Sequence, residues 1–465
     1  MHATTSLTPP EATPATPIRK LGFAEARMHL MHQLCAGTTQ GAAVLRLRGS
    51  LEAAAVRRAA EALRGRHDVL RADIRQIGAE LWFCRRENDD MPVQVAELIR
   101  EDEEHWRRVL ERENARALKG AEGWWRIILL IAPPGHGSEH ELILLSHHAV
   151  LDGSATCAVF DELLCELAAE SCAAAPGASR PLAPSVEHFT SRGLSWSAYL
   201  TRQAAVTRSR REPELMAHGA IVPLDQRITR VLPRSLTLEH SERLRRRSKA
   251  AGVSLNSYLS ANFLLALRAA RPERAAFLLN AAFSLRPLCG ARIQPHDLGC
   301  YLSVLSTVHC IDDADASAEA IAQDHQSALL AATIRSARNP EHFDTETLAA
   351  SMVALGQSAQ FVQDMAITFL EAPLSRHYGA LEVAAFWSSA NRAVGNVAAV
   401  LQVVDMHGGL HLTLNYVSPL QSDAWAEGVM SVLYERLVER ADDPRNASSA
   451  VGASTSAESS QPETR

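Results

Sequence analysis

The stretch from Trp124 to Leu164 constrains the fold more than any other part of the chain. Two apolar runs, WWRIILLIAP (124–133) and ELILLSHHAV (141–150), flank the polar, turn-forming segment PPGHGSEH, and this pattern predicts a hairpin of buried strands. After His148 the period changes. Ala155, Val159 and Leu163 fall at i, i+4 and i+8, beside Phe160, Leu164 and Leu167, which predicts a helix. Two adjacent histidines, His147 and His148, therefore stand where a buried strand ends and a helix begins. Successive side chains of an extended backbone point to opposite sides, so one imidazole faces any given cleft and the other packs.

The wider chain fits a globular α+β protein. Its 465 residues, 47% hydrophobic, are enough for two or three domains with buried cores. With 47 Lys and Arg against 53 Asp and Glu, the net charge of −6 argues against a nucleic-acid partner, which needs a basic surplus. No run of about 18 apolar residues or secretory signal occurs, so no membrane partner and a cytoplasmic location are expected. The eight cysteines form no CxxC pair and no metal-type cluster with histidine; they read as small buried residues, with no metal site.

Composition also divides the chain. Residues 1–19 and 445–465 are rich in Thr, Pro, Ala and Ser and are expected to be disordered. Between them we expect an N-terminal lobe over 20–175, a proline-containing crossover over 176–190 and a C-terminal lobe over 191–444. In the first lobe, Leu45 and Leu47 alternate with Arg46 and Arg48 in a strand, and Ser50 is the expected cap of the next helix. In the second, helices are expected over 238–250 and 255–270, the latter capped by Ser254, then a strand over 275–284 and extended chain over 300–310. Helices over 316–336 and 345–357 follow. Two late strands flank a Gly408-Gly409 turn, and a helix begins near Ser422.

Residues 147–153 read His-His-Ala-Val-Leu-Asp-Gly, the pattern HHxxxDG. An imidazole with an ordinary pKa near 6.5 accepts and returns protons at neutral pH, as a general base must. A bare His pair at a strand end is more often two hydrogen-bonded core residues; Asp152, Gly153 and the strand-to-helix junction shift the balance toward catalysis. Asp152 reads either as a relay partner of His148 or as a helix-opening carboxylate that requires a cation; we favour the second. No GxSxG elbow or protease-like cysteine context supplies a covalent nucleophile, so the histidine is expected to activate the substrate's own.

These residues resemble the superfamily that includes chloramphenicol acetyltransferase, nonribosomal peptide condensation domains and polyketide-associated acyltransferases. RHDVLRADI (66–74), AGVSLNSYLSANFLLAL (251–267), SLRP (284–287) and LGCYLSV (298–304) resemble further family segments in the same order, although the last has lost the family's Phe and Asn. The resemblance covers about residues 20–440. It implies two chloramphenicol-acetyltransferase-like lobes in a V, with an active-site tunnel between them.

The same resemblance implies His148 as catalytic base, His147 as structural, and a salt bridge from Asp152 to Arg286. It implies that Gly153 allows close backbone approach, and that Gly299, Tyr301 and Ser303 are candidates for the tunnel wall. No DFGWG motif of the plant coenzyme A acyltransferases is present. The chain resembles a free-standing enzyme that takes an acyl group from phosphopantetheine on an acyl or peptidyl carrier protein to an alcohol or amine, with esters favoured. It is expected to act as a monomer without a bound cofactor. A coenzyme A-dependent O-acyltransferase and a non-catalytic recruitment domain for carrier proteins are the alternatives. Arg243–Lys249 and Arg208–Arg211 are candidate docking faces for an acidic carrier, against the more ordinary reading of solvated helix faces. Trp124, Trp125 and Trp387 are candidate acyl-channel residues, against the more ordinary reading as core.

Overall fold

The computed structural model describes residues 16–438 apart from 87–91, 134–137, 170–178, 192–193, 202–213, 295, 312–315 and 337. Two six-stranded sheets organise it. The first has the order β14 (His377–Tyr378), β15 (Leu381–Ala390), β2 (Gly41–Arg48), β7 (Glu139–Ser146), β6 (Trp125–Ile131), β5 (Val95–Ile99). Its pairs are antiparallel except β5–β6. The second has the order β11 (Leu302–Cys310), β10 (Ala276–Ser284), β13 (Gln363–Glu371), β16 (Val397–Met406), β17 (Gly409–Ser418), β9 (Ile228–Ser235), with β13 parallel to both neighbours. A three-stranded sheet, β1 (Pro17–Lys20), β4 (Glu80–Arg85) and β3 (Ala72–Ile77), and the short pair β12 (Gln360–Phe361) and β8 (Met216–Ala217) complete the set.

Each large sheet is held by apolar burial. Helices Ala53–Arg66 and Gly153–Ala169 bring Val56, Leu63, Phe160 and Leu163 into one core with Leu45, Leu47, Leu144 and Phe386 of the first sheet. Trp106, Val109 and Leu110 of helix His105–Ala115 join Val44, Ile143 and Trp387 on its other face. The second sheet packs Leu279, Leu401, Leu412 and Leu414 against helices Leu255–Ala270 and Asp423–Val438. Each such side chain, once fully buried, contributes about 1.5–3 kcal/mol.

The helices over 238–250 and 255–270 form as expected, and the Ser254 hydroxyl accepts a hydrogen bond from the Ser257 N–H at 3.1 Å. Other expectations are corrected. The helix after β2 starts at Ala53 with Glu52 at its cap position, because Gly49, at φ +129°, first turns the chain and Leu51 is buried. The late hairpin turns at His407-Gly408, where both φ values are positive as a type I′ turn requires; Gly409 already belongs to β17. Strand β1 overlaps the segment 1–19 expected to be disordered; residues 1–15 and 439–465 lie outside the described residues. Cys165 and Cys310 are exposed rather than buried, and Cys172 lies outside the described residues.

The division at 190/191 is corrected more substantially. Strand β15, from the C-terminal half, pairs with β2 from Glu382↔Arg48 to Ala390↔Gly41 and so completes the first sheet. The two sheets are thus stitched together by chain as well as by contact. Among the described residues no single helix is long and apolar enough to cross a membrane.

Candidate active site

A cavity of about 270 Å³ lies where the two sheets approach each other. The first sheet supplies Ala42 and Ser388 to its wall, and the second supplies Asn280, Thr368 and Val400. His148 lines it from the turn between β7 and helix Gly153–Ala169. Burial pulls the His148 pKa below its ordinary value; Asp152 and the residue's own main chain oppose this, and the positive charge of Arg392 reinforces it. The ring is therefore neutral at pH 7 and available as a base.

His147 takes the opposite side and is fully buried. Its main-chain N–H donates to the Trp124 carbonyl at 2.8 Å, and its Nδ1 accepts from the Ala149 N–H at 3.1 Å. The ring proton therefore sits on Nε2, 3.4 Å from His29 Nδ1. The edge of Trp124 and the ring of His32 close the cluster, with centroids 4.7 and 4.5 Å from that of His147. Burial first, and the neighbouring imidazoles second, hold His147 well below its usual pKa and bring His29 down to about 4.

These imidazoles stay neutral in the folded chain but take up protons near pH 6.5 once unfolded, so below that pH the unfolded state is the better proton binder. Stability is undiminished above pH 6.5 and falls as the pH drops toward 4, by on the order of 3 kcal/mol for His29 alone. Urea midpoints measured from pH 7.5 to 4.5 should decline in that window; a flat profile would contradict the neutral cluster.

Asp152 opens the helix. Its Oδ1 accepts from the Ala155 N–H at 2.8 Å, an N-cap geometry, and its Oδ2 accepts from the Tyr301 N–H at 2.9 Å. Arg286 Nη2 stands 3.1 and 3.3 Å from the two oxygens, while Nη1 donates to the Asp297 carbonyl at 2.9 Å. The guanidinium also lies 4.7 Å from the centre of the Tyr301 ring. Among the described residues no hydrogen bond joins Asp152 to His148, so the carboxylate acts on the imidazole through its charge and not as a triad partner. A Cβ on Gly153 would stand 3.3 Å from Leu370 Cδ1, so this glycine admits a side chain of β13.

No known family profile matches the sequence, and no curated protein sequence matches it. Solved structures do match. Polyketide synthase associated protein 5 from Mycobacterium tuberculosis superposes with TM-score 0.61 at 17% identity, over 92% of this chain and 100% of that one. The first condensation domain of the calcium-dependent antibiotic synthetase gives 0.66 at 16%, over 92% and 98%. A trichothecene 15-O-acetyltransferase from Fusarium sporotrichioides gives 0.69 at 10%, over 90% and 95%. The fold is that of condensation domains.

On this condensation-domain fold the remaining expected residues take different places. Tyr301 lines the cavity, and its hydroxyl donates to the Pro184 carbonyl at 2.9 Å. Ser303 does not: β11 alternates, and its neighbours Leu302 and Val304 face the cavity while Ser303 is buried on the other side. Gly299 is also absent from the wall. It sits at φ +152°, and its carbonyl accepts from the Asp152 N–H at 3.0 Å.

None of the three expected tryptophans lines this cavity. Trp124 packs on His147, the Trp125 indole donates to the Leu70 carbonyl, and Trp387 stacks on Trp106 at 4.9 Å. The basic run Arg243–Lys249 is partly engaged within the chain, since Arg245 pairs with Asp405 at 2.7 Å and Arg243 donates to the Leu437 carbonyl. Arg208–Arg211 lies outside the described residues. Sequence reasoning missed Arg27 and Arg392, which line the cavity beside His148. In a chain with 47 Lys and Arg, nothing in their sequence context set them apart.

Proposed function

We propose that the protein is an acyltransferase in polyketide or nonribosomal peptide biosynthesis, with His148 as general base. The observation that carries this reading is a neutral imidazole on the wall of a cavity lined by both large sheets. Its basic nitrogen takes the proton from an acceptor hydroxyl or amine as that atom attacks a thioester carbonyl. The carbon–sulfur bond then breaks, and the departing sulfur regains a proton from the imidazolium. An amine is a fair nucleophile once neutral, so the base has more to contribute to an ester.

The acyl donor in this reading is a thioester on the phosphopantetheine of a carrier protein, and coenzyme A is the competing donor. Equal concentrations of one acyl group on a carrier protein and on coenzyme A, offered with pooled alcohols and amines and read by mass spectrometry, test both points. Faster ester formation from the carrier protein is expected. A strong preference for coenzyme A would remove the carrier protein, and no product from either donor would leave the fold as a recruitment domain.

A further inference from the structure

The cavity holds more positive charge than the described residues balance. Besides His148, the charged side chains on its wall are Arg27, Asp152 and Arg392. Asp152 is committed to Arg286. Neither Arg27, from helix Phe23–Leu34, nor Arg392, from the loop after β15, has an acidic partner among the described residues. Arg392 is held by its main-chain N–H, which donates to Thr229 Oγ1 at 2.8 Å, and by Nη2, which donates to Asn396 Oδ1 at 3.2 Å. Its Nε is buried without an acceptor. Burial, with Arg27 nearby, brings its pKa down to about 10, so it remains a cation at neutral pH.

A partly buried guanidinium beside another, with a buried donor unused, is costly unless an anion completes it. Nothing described in the chain supplies that anion, and the cavity is where a ligand would. Given that this cavity is the acyl-transfer site, we propose that the molecule seated there carries a carboxylate, bound by Arg392 with Arg27 beside it. The planar guanidinium matches a carboxylate's two oxygens. The phosphate of a pantetheine arm is the other anion at hand, but it stands many bonds from the thioester, whereas Arg392 is near enough to His148 to depress its pKa.

Binding tests this independently of turnover. Thermal shift and calorimetry on the wild type, His148→Ala and Arg392→Gln use glutarate against its uncharged diamide, and phosphopantetheine against pantetheine. Glutarate is expected to bind the wild type and His148→Ala alike, and to bind Arg392→Gln roughly 10- to 100-fold more weakly, the range of a lost charged hydrogen bond. The ligand-free Arg392→Gln protein is expected to melt no lower than the wild type, since an unbalanced cation is removed. Equal binding of the diamide, undiminished glutarate binding by Arg392→Gln, or a response to phosphopantetheine alone would overturn the proposal. A large fall in the ligand-free melting temperature would make Arg392 a structural strut instead. In turnover, succinyl against butyryl donors and hydroxy acids against hydroxy amides show which substrate bears the carboxylate, and ratios near one in both series would count against it. Failure of acyl transfer with glutarate still bound would overturn the reaction and leave the anion site standing.

Discussion

Replacing His148 with Ala should lower the rate of acyl transfer by about 10²- to 10⁴-fold, the range that a positioned general base supplies. Folding should be little affected, because the ring lines a cavity while the neighbouring His147 makes the buried contacts. The loss should be larger for an alcohol acceptor than for an amine, since the alcohol must lose its proton as it attacks. The wild-type rate should rise through an acid limb below pH 6.5 and be level at pH 7, because burial and Arg392 both hold the imidazole below its ordinary value. Single-turnover assays with a matched alcohol and amine, together with melting curves, check these points. Wild-type turnover by His148→Ala would end the mechanism, and equal losses for both acceptors would assign the ring to positioning and not to proton transfer.

That the two imidazoles point apart was legible from the rule that adjacent side chains at a strand end face opposite sides, although β7 ends at Ser146 and His148 already stands in the turn that follows. The same rule was available for Ser303 and for Trp387, and there it needed one further fact, the phase of the alternation. In β11 the cavity takes Leu302 and Val304 but not Ser303, and in β15 it takes Phe386 and then Ser388, Ser389 and Ala390 but not Trp387, so the phase decides both assignments. Phase is set by which neighbour a strand pairs with, and β15 crosses from the C-terminal half to pair with β2. That long-range pairing has no local signature in LEVAAFWSSA. The arginines of the cavity were missed for a related reason, since what distinguishes Arg27 and Arg392 is that no acid among the described residues pairs with them, and pairing is visible only in three dimensions.

Asp152→Ala should destabilise the protein by about 3–5 kcal/mol, the cost of leaving a buried charge without its counter-ion. Asp152 is 4% exposed, and three groups converge on its two oxygens: the Arg286 guanidinium and the N–H groups of Ala155 and Tyr301. These come from a helix start, from the SLRP turn and from the approach to β11, so the carboxylate ties the histidine-bearing turn to the second half of the chain. Arg286→Met should cost a similar amount for the converse reason. The double variant should cost less than the sum of the two, because a pair replaced on both sides leaves no charge stranded; denaturant midpoints of all four proteins give the coupling. A second readout separates scaffold from chemistry. Asp152 raises the His148 pKa, so in Asp152→Asn, which keeps the shape and removes the charge, the acid limb of the rate should move to lower pH while activity at pH 7 persists. A variant that stays fully stable yet is inactive at every pH would place the carboxylate in the proton transfer itself, against the geometry that spends both its oxygens elsewhere.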